Sequence, residues 1–175
     1  MRKSKHLHFV LILIGIYLAC ALVLFVYQRA FIYLPTNEYK HSFEQITILN
    51  NDVNIQVIVL NKGNKNAFIY FGGNAEAVIH NALEFSINFP SRTIYLVNYR
   101  GYGGSSGKPT EAGLFSDAIA IFDNVLAAHK DIAVIGRSLG SGVAMHLAAN
   151  RAVSQVVLIT PYDSILAIAK KQFPL

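Results

Sequence analysis

A single cysteine, Cys20, excludes an internal disulfide and leaves the redox compartment unread. The chain has no internal repeat and no low-complexity tract, so solenoids and compositionally biased arrays are excluded as well. Charge is scarce, at 14% of positions, and the 15 Lys and Arg against 10 Asp and Glu form no long run of one sign. Three of the bases, Arg2, Lys3 and Lys5, sit at the N-terminus; past residue 27 the balance falls to about +2, without the clustered positive face that nucleic-acid binding requires. Two glycine motifs are also incomplete. Gly101, Gly103 and Ser106 lack the third glycine of a dinucleotide fingerprint, and Gly107-Lys108 runs into Pro109 without the upstream glycine of a phosphate-binding loop. No cofactor or metal is implied.

What the chain does have is apolar residues, 53% of the total, with the excess at one end. Phe9 to Tyr27 carries no charge. As a helix it would measure roughly 28 Å, close to the hydrocarbon thickness of about 30 Å. A cleaved signal peptide would be shorter, with an A-x-A-like exit. Tyr17-Leu18-Ala19-Cys20 faintly resembles a lipoprotein cleavage site, but the apolar run continues well beyond Cys20, which favours a retained anchor. The bases before the span, against Arg29 and Lys40 after it, orient the N-terminus to the cytoplasm and the body to the extracytoplasmic side. Residues 1–8 are thus read as a basic cytoplasmic tail, 9–27 as a transmembrane anchor, 28–41 as a connector, and 42–175 as one domain.

That domain reads as strands first, then strands alternating with helices. Phe43–Leu49 and Val53–Leu60 flank the polar turn Asn50-Asn51-Asp52, as an antiparallel pair would. Ala67–Phe71, Thr93–Val97, Ile132–Ile135 and Val156–Ile159 are short apolar runs without alternation, expected of strands buried on both faces. Helical patterns fill the gaps at Glu76–Asn88, Glu111–His129 and Leu139–Asn150. The fold class is α/β: a three-layer sandwich around a mostly parallel sheet.

The pattern G-x-S-x-G occurs twice, at Gly103–Gly107 and Gly136–Gly140. It arises by accident in roughly one chain in twenty of this length, so context must choose between the copies. A nucleophile elbow is a sharp, strained turn directly between a strand and a helix, which lifts the serine oxygen above the sheet. Ser138 has that setting, with Ile132–Ile135 before it and small residues Gly140, Gly142 and Ala144 behind it. Ser105 does not: Asn98–Tyr102 separate it from its strand and Lys108-Pro109-Thr110 from the next helix. The oxyanion of an acyl-transfer step needs N–H donors after the nucleophile and in the loop behind the third strand. Those positions are the backbones of Leu139 and, in FGGNAE, of Asn74; the alternative for that loop is an ordinary strand-to-helix turn.

IYLPT, FGGNAE, NYRGYGGSSGKPTEAGL, IGRSLGSGVA and TPYDSI, in this order after one apolar span, resemble the single-pass membrane-anchored branch of the α/β-hydrolase superfamily, which is similar to lysophospholipase-like, depalmitoylase-like and serine-aminopeptidase-like enzymes. The resemblance covers nearly everything from Gln28 onward. It implies that 42–175 is a partial α/β-hydrolase domain, that Ser138 is the nucleophile, and that Asn98–Gly107 is a conformational landmark. The first glycine of FGGNAE stands where many members of the superfamily have histidine.

In this fold the triad runs Ser, Asp or Glu, then His. Downstream of Ser138 the only acid is Asp163 and the only histidine is His146. His146 would lie about 12 Å along the helix, out of reach. Asp163 is read as a helix N-cap for Ser164–Gln172 in preference to a triad acid. His6, His8, His41, His80 and His129 are read as solvated. The chain reaches Phe173-Pro174-Leu175 where the resemblance implies further strands with acid and base. Two expectations follow. One is the N-terminal portion of a membrane-anchored serine hydrolase acting on acyl esters or thioesters, its acid and base elsewhere. The other is a non-catalytic, membrane-tethered remnant or interaction module, whose strand Val156–Ile159 would be an unprotected edge. The lipid bilayer is the partner expected in both; no protein partner can be read.

Overall fold

The structure, a computed structural model, describes residues 2–162 and 164. The chain divides into two units, residues 1–34 and residue 35 onward. The first is α1 (Arg2–Ile32). Within its stretch from His8 to Ile32, an 18-residue window reaches a mean hydropathy of 3.1. Phe9, Tyr17, Leu22 and Phe25 are all more than half exposed. A helix apolar on every face suits lipid better than water. By length and composition α1 can cross a membrane.

The second unit is a six-stranded sheet. β1 (Glu44–Asn50) and β2 (Val53–Leu60) form a hairpin whose two-residue turn holds Asn51 at φ 47° and Asp52 at φ 61°, the left-handed pair that such a turn needs. β2 runs antiparallel to β4 (Thr93–Val97), which is parallel to β3 (Asn66–Phe71). β3 is parallel to β5 (Asp131–Arg137), and β5 to β6 (Gln155–Ile159). The order is β1-β2-β4-β3-β5-β6. Among the described residues β6 is an outer edge, with Val157 and Ile159 exposed.

Every residue of β4, and all of β3 beyond Asn66, is buried, because helices cover both faces. On one face α2 (Ala82–Asn88) brings Phe85 edge-on to Phe68 and Tyr70, over a cluster with Ile58, Leu60, Ile94 and Leu96. α3 (Glu111–Leu126) and α4 (Leu139–Asn150) pack against each other, and α4 lies on β3, β5 and β6. Each large side chain buried this way contributes about 1.5–3 kcal/mol. The three-layer sandwich read from the sequence is therefore present.

Two helices are shorter than their patterns. Glu76–Asn88 was expected as one helix, but a 3-10 turn at Val78–Asn81 precedes α2. The Glu76 carboxylate bonds backward to Gly73 and Tyr70, and Asn81 donates its side-chain amide to Glu76 without capping α2. Those bonds hold the chain off the helical path. α3 ends at Leu126, short of His129, which contacts the Tyr95 hydroxyl at 2.8 Å and the Asn64 carbonyl at 3.0 Å. His129 is thus a bonded residue and not a solvated one.

Candidate active site

Strand register levels the carboxyl ends of the parallel strands. Val97 pairs with Phe71, Phe71 with Gly136, and Gly136 with Leu158, so the chain leaves β4, β3, β5 and β6 along one rim. The chain leaves β3 toward β4 on one side and β5 toward β6 on the other. The crevice between β3 and β5 is therefore a topological switch point, where open α/β sheets bind ligands. Ser138 stands at this crevice, between the last residue of β5 and the first of α4.

Its backbone is at φ 48° and ψ −114°, a conformation that costs a non-glycine residue on the order of 1–3 kcal/mol. Local bonds compensate. The Ser138 N–H donates to the Ile159 carbonyl at 2.9 Å, and its carbonyl accepts from the Ser141 N–H at 2.8 Å and hydroxyl at 2.6 Å. The turn also demands the flanking glycines. A Cβ on Gly136 would stand 2.7 Å from the Ala144 Cβ, and one on Gly140 would stand 2.6 Å from the Phe71 carbonyl carbon. Ser138 occupies the N-cap position of α4 but its side chain does not cap, so the hydroxyl is not consumed by the helix.

The loop behind β3 lies beside it: a Cβ on Gly73 would be 3.9 Å from the Ser138 Cβ. Leu139, the first residue of α4, carries an N–H that helix geometry leaves without an intrahelical acceptor. Asn74 is held by its side chain, whose Oδ1 accepts from the Tyr102 hydroxyl at 2.8 Å. The elbow and the Gly72–Asn74 loop are thus brought together, as donors at an oxyanion site would be.

Ser105 is buried elsewhere in function as well as in space. Its hydroxyl donates to the Asn98 carbonyl and accepts the Gln56 N–H, both at 2.8 Å, while Ser106 ties to Asn54. A Cβ on Gly103 would come within 2.5 Å of the Asn98 side-chain carbon, so glycine at φ 49° is required there. The Gly103–Gly107 copy of G-x-S-x-G is a brace between β2 and the rim. Below it Arg100 makes a two-pronged pair with buried Asp117, at 2.7 and 2.6 Å, which also accepts from Asn50.

No described histidine of the second unit bonds to Ser138. His146 stacks on Phe115 with ring centroids 4.1 Å apart, His80 meets Tyr39 edge-on, and His41 contacts Gln45. Asp163, and the helix expected after it, lie outside the described residues. Among the described residues no group of acids, histidines and cysteines could hold a metal.

Sequence reasoning missed two groups. Glu76 is one: its carboxylate, in a side chain only 15% exposed, accepts from the Gly73 N–H at 2.6 Å, the Tyr70 hydroxyl at 2.7 Å and the Asn81 amide at 2.6 Å, with an Arg137 nitrogen 3.5 Å away. The signal was present as a Glu three residues after Gly73, the spacing at which a side chain reaches back to a backbone N–H. Burial, then Glu76, pushes the Tyr70 phenol far above its ordinary range. Tyr99 is the other: fully buried, it donates to the Gly72 carbonyl at 2.8 Å, and burial pushes its phenol well up.

Comparison with known proteins identifies the fold family. Residues 57–174 match the family described as alpha/beta hydrolase fold. An uncharacterized protein of Mycobacterium tuberculosis is 30% identical over 178 residues, covering 89% of this chain and 62% of its own. Protein bem46 of Schizosaccharomyces pombe is 25% identical over 86% of this chain and 59% of its own. A lysophosphatidylserine lipase of Xenopus tropicalis is 38% identical over a shorter stretch, 39% of this chain and 17% of its own. The chain thus spans about 60% of the length of the first curated relatives it matches. Among solved structures, a potato epoxide hydrolase superposes with a TM-score of 0.62 at 18% identity over 75% of this chain and 46% of its own. At that identity the likeness speaks for the fold.

Proposed function

We propose, from the premise that this chain belongs to the alpha/beta hydrolase fold family, that it is a serine hydrolase whose nucleophile is Ser138. The observation that carries the reading is the backbone of Ser138, strained at φ 48° and ψ −114° where β5 meets α4. Strain of this kind persists where the surroundings enforce it, and it concentrates at functional sites. In the proposed reaction the Ser138 oxygen attacks the carbonyl of an ester or thioester and its proton passes to a general base. The tetrahedral oxyanion is met by the Leu139 and Asn74 amides, and the alcohol or thiol leaves with a proton. Water then releases the acyl group from Ser138. The reading assigns the triad acid and base to groups outside the described residues.

The substrate class follows from α1 and from the relatives. An enzyme tethered by an apolar helix works within reach of lipid, and one relative is by name a lysophosphatidylserine lipase. Acyl lipids or acylated partners at a membrane surface are the substrates we propose. The N-terminus is placed in the cytoplasm and the domain on the extracytoplasmic side, on the strength of Arg2, Lys3 and Lys5 before the span.

Fluorophosphonate labelling of the full chain in detergent tests the nucleophile. Expected is labelling that Ser138→Ala abolishes and Ser105→Ala leaves in place; labelling that survives Ser138→Ala rejects the assignment. A second reading, a membrane-tethered module without chemistry, is favoured by the separate engagements of His41, His80, His129 and His146. It expects no labelling at all.

A further inference from the structure

The loop behind β3 owes its shape to one carboxylate. Glu76 holds Gly73 from both sides: its side chain accepts the Gly73 N–H at 2.6 Å, and its own N–H donates to the Gly73 carbonyl at 3.3 Å. The next peptide is therefore fixed in direction. In a planar trans peptide the N–H points opposite to the C=O, so once the Gly73 carbonyl faces the Glu76 backbone, the Asn74 N–H faces away from it.

The arrangement differs from a helix cap. The residue that precedes the 3-10 turn, Ala77, makes no side-chain cap bond, and the Glu76 carboxylate accepts the Gly73 N–H behind it and the Asn81 side-chain amide ahead of it. A carboxylate this enclosed needs strong donors, and it has them in Tyr70, Gly73 and Asn81. Its fourth neighbour, Arg137, is the residue immediately before Ser138. Glu76 therefore touches both the β3 loop and the strand end that carries the serine.

We propose that Glu76 is a positioning residue that fixes the Gly73–Asn74 peptide beside Ser138. Its importance for catalysis rests on the serine-hydrolase reading above, but the positioning itself does not. Glu76 touches no substrate; it acts through the direction it gives the Asn74 amide. At the adjacent Gly72 a Cβ would fall 2.8 Å from a Val78 methyl, so the loop packs closely against the turn that follows it.

Two measurements on the full chain in detergent micelles test this. Gly73 and Gly104 are the only glycines that directly follow another glycine. Incorporating both 13C-carbonyl and 15N glycine therefore singles out their two amide resonances. Glu76→Gln, which keeps the shape but leaves one acceptor oxygen in place of two, should move the Gly73 resonance upfield and leave Gly104 in place. A Gly73 resonance unmoved by Glu76→Gln overturns the proposal.

The second measurement is the rate of fluorophosphonate labelling. Loss of one oriented oxyanion donor slows acyl chemistry on the order of 10²-fold, and Glu76→Ala should slow labelling to that extent, with Glu76→Gln recovering part of the rate. Unchanged labelling in folded Glu76→Ala also overturns the proposal. Glu76→Asp replaces Glu76→Ala should the latter fail to fold. Wild-type labelling that is absent, or that survives Ser138→Ala, together with a displaced Gly73 resonance in Glu76→Gln, rejects the nucleophile and leaves the positioning role standing.

Discussion

Gly140 and Phe71 touch backbone to backbone: a Cβ on Gly140 would overlap the Phe71 carbonyl oxygen and stand 2.6 Å from its carbon. The start of α4 is thereby pressed onto the end of β3, and the Gly140 N–H meets the Gly72 carbonyl at 3.2 Å. The serine is raised over the crevice because the helix behind it can come this close.

Gly140→Ala should therefore destabilise the fold by at least the 1–3 kcal/mol typical of overpacking, since backbone cannot swing aside as a side chain does. Gly142→Ala, whose Cβ would meet nothing nearer than the Tyr162 hydroxyl at 3.7 Å, should be neutral or slightly stabilising. Thermal unfolding of the two variants in the same detergent makes the comparison. Equal melting temperatures would contradict the packing argument.

Ser105→Ala should cost about 1–3 kcal/mol, because it strips a partner from two backbone groups, the Gln56 N–H and the Asn98 carbonyl. Chemical denaturation reads the cost. A variant as stable as wild type would show that the Gly103–Gly107 motif does not brace the rim.

The Arg100–Asp117 pair is enclosed, with side chains 13% and 5% exposed. Asp117→Ala leaves a guanidinium buried without its carboxylate and should cost about 3–5 kcal/mol. The double replacement Arg100→Met with Asp117→Leu should recover most of the loss, since an apolar pair has no charge to desolvate. Denaturant midpoints for the single and double variants decide this, and a double variant weaker than the single one would refute it.

Alkaline conditions should unfold the domain. Burial raises the phenols of Tyr70, Tyr95 and Tyr99, so above pH 10 the unfolded chain loses protons that the folded chain keeps. The stability they contribute is full below the ordinary tyrosine value near 10 and declines as pH rises past it. Ultraviolet titration should show these tyrosinates appearing only together with loss of circular dichroism. Tyr99→Phe should flatten the decline, and an unchanged slope would count against a buried neutral Tyr99.

Alkaline carbonate should fail to extract the full chain from membranes, because α1 carries an uncharged, predominantly apolar run from Phe9 to Tyr27. Release into the soluble fraction would exclude a spanning anchor.

The two copies of G-x-S-x-G show how far a linear reading reaches. Ser138 could be chosen over Ser105 because a strand pattern ended directly before it and a helix pattern began directly after it. Periodicity reports burial, and burial is what fixes strands and helices. The histidines show the limit: His129 ends a helical pattern, yet its partners, Tyr95 and Asn64, lie 34 and 65 residues away along the chain. No local signal encodes such contacts.

By itself, the sequence determined the apolar span at Phe9–Tyr27, the alternation of strands and helices, and the placing of a serine at a strand-to-helix junction, because each is written in the spacing of neighbouring residues. Only the tertiary structure decided that the Gly72–Asn74 loop lies beside that serine, that Glu76 turns back to hold it, and that Ser105 is locked between Gln56 and Asn98. Those arrangements depend on which strands become neighbours and in what register. Register is set by the whole sheet closing at once, a property that no short stretch of chain contains.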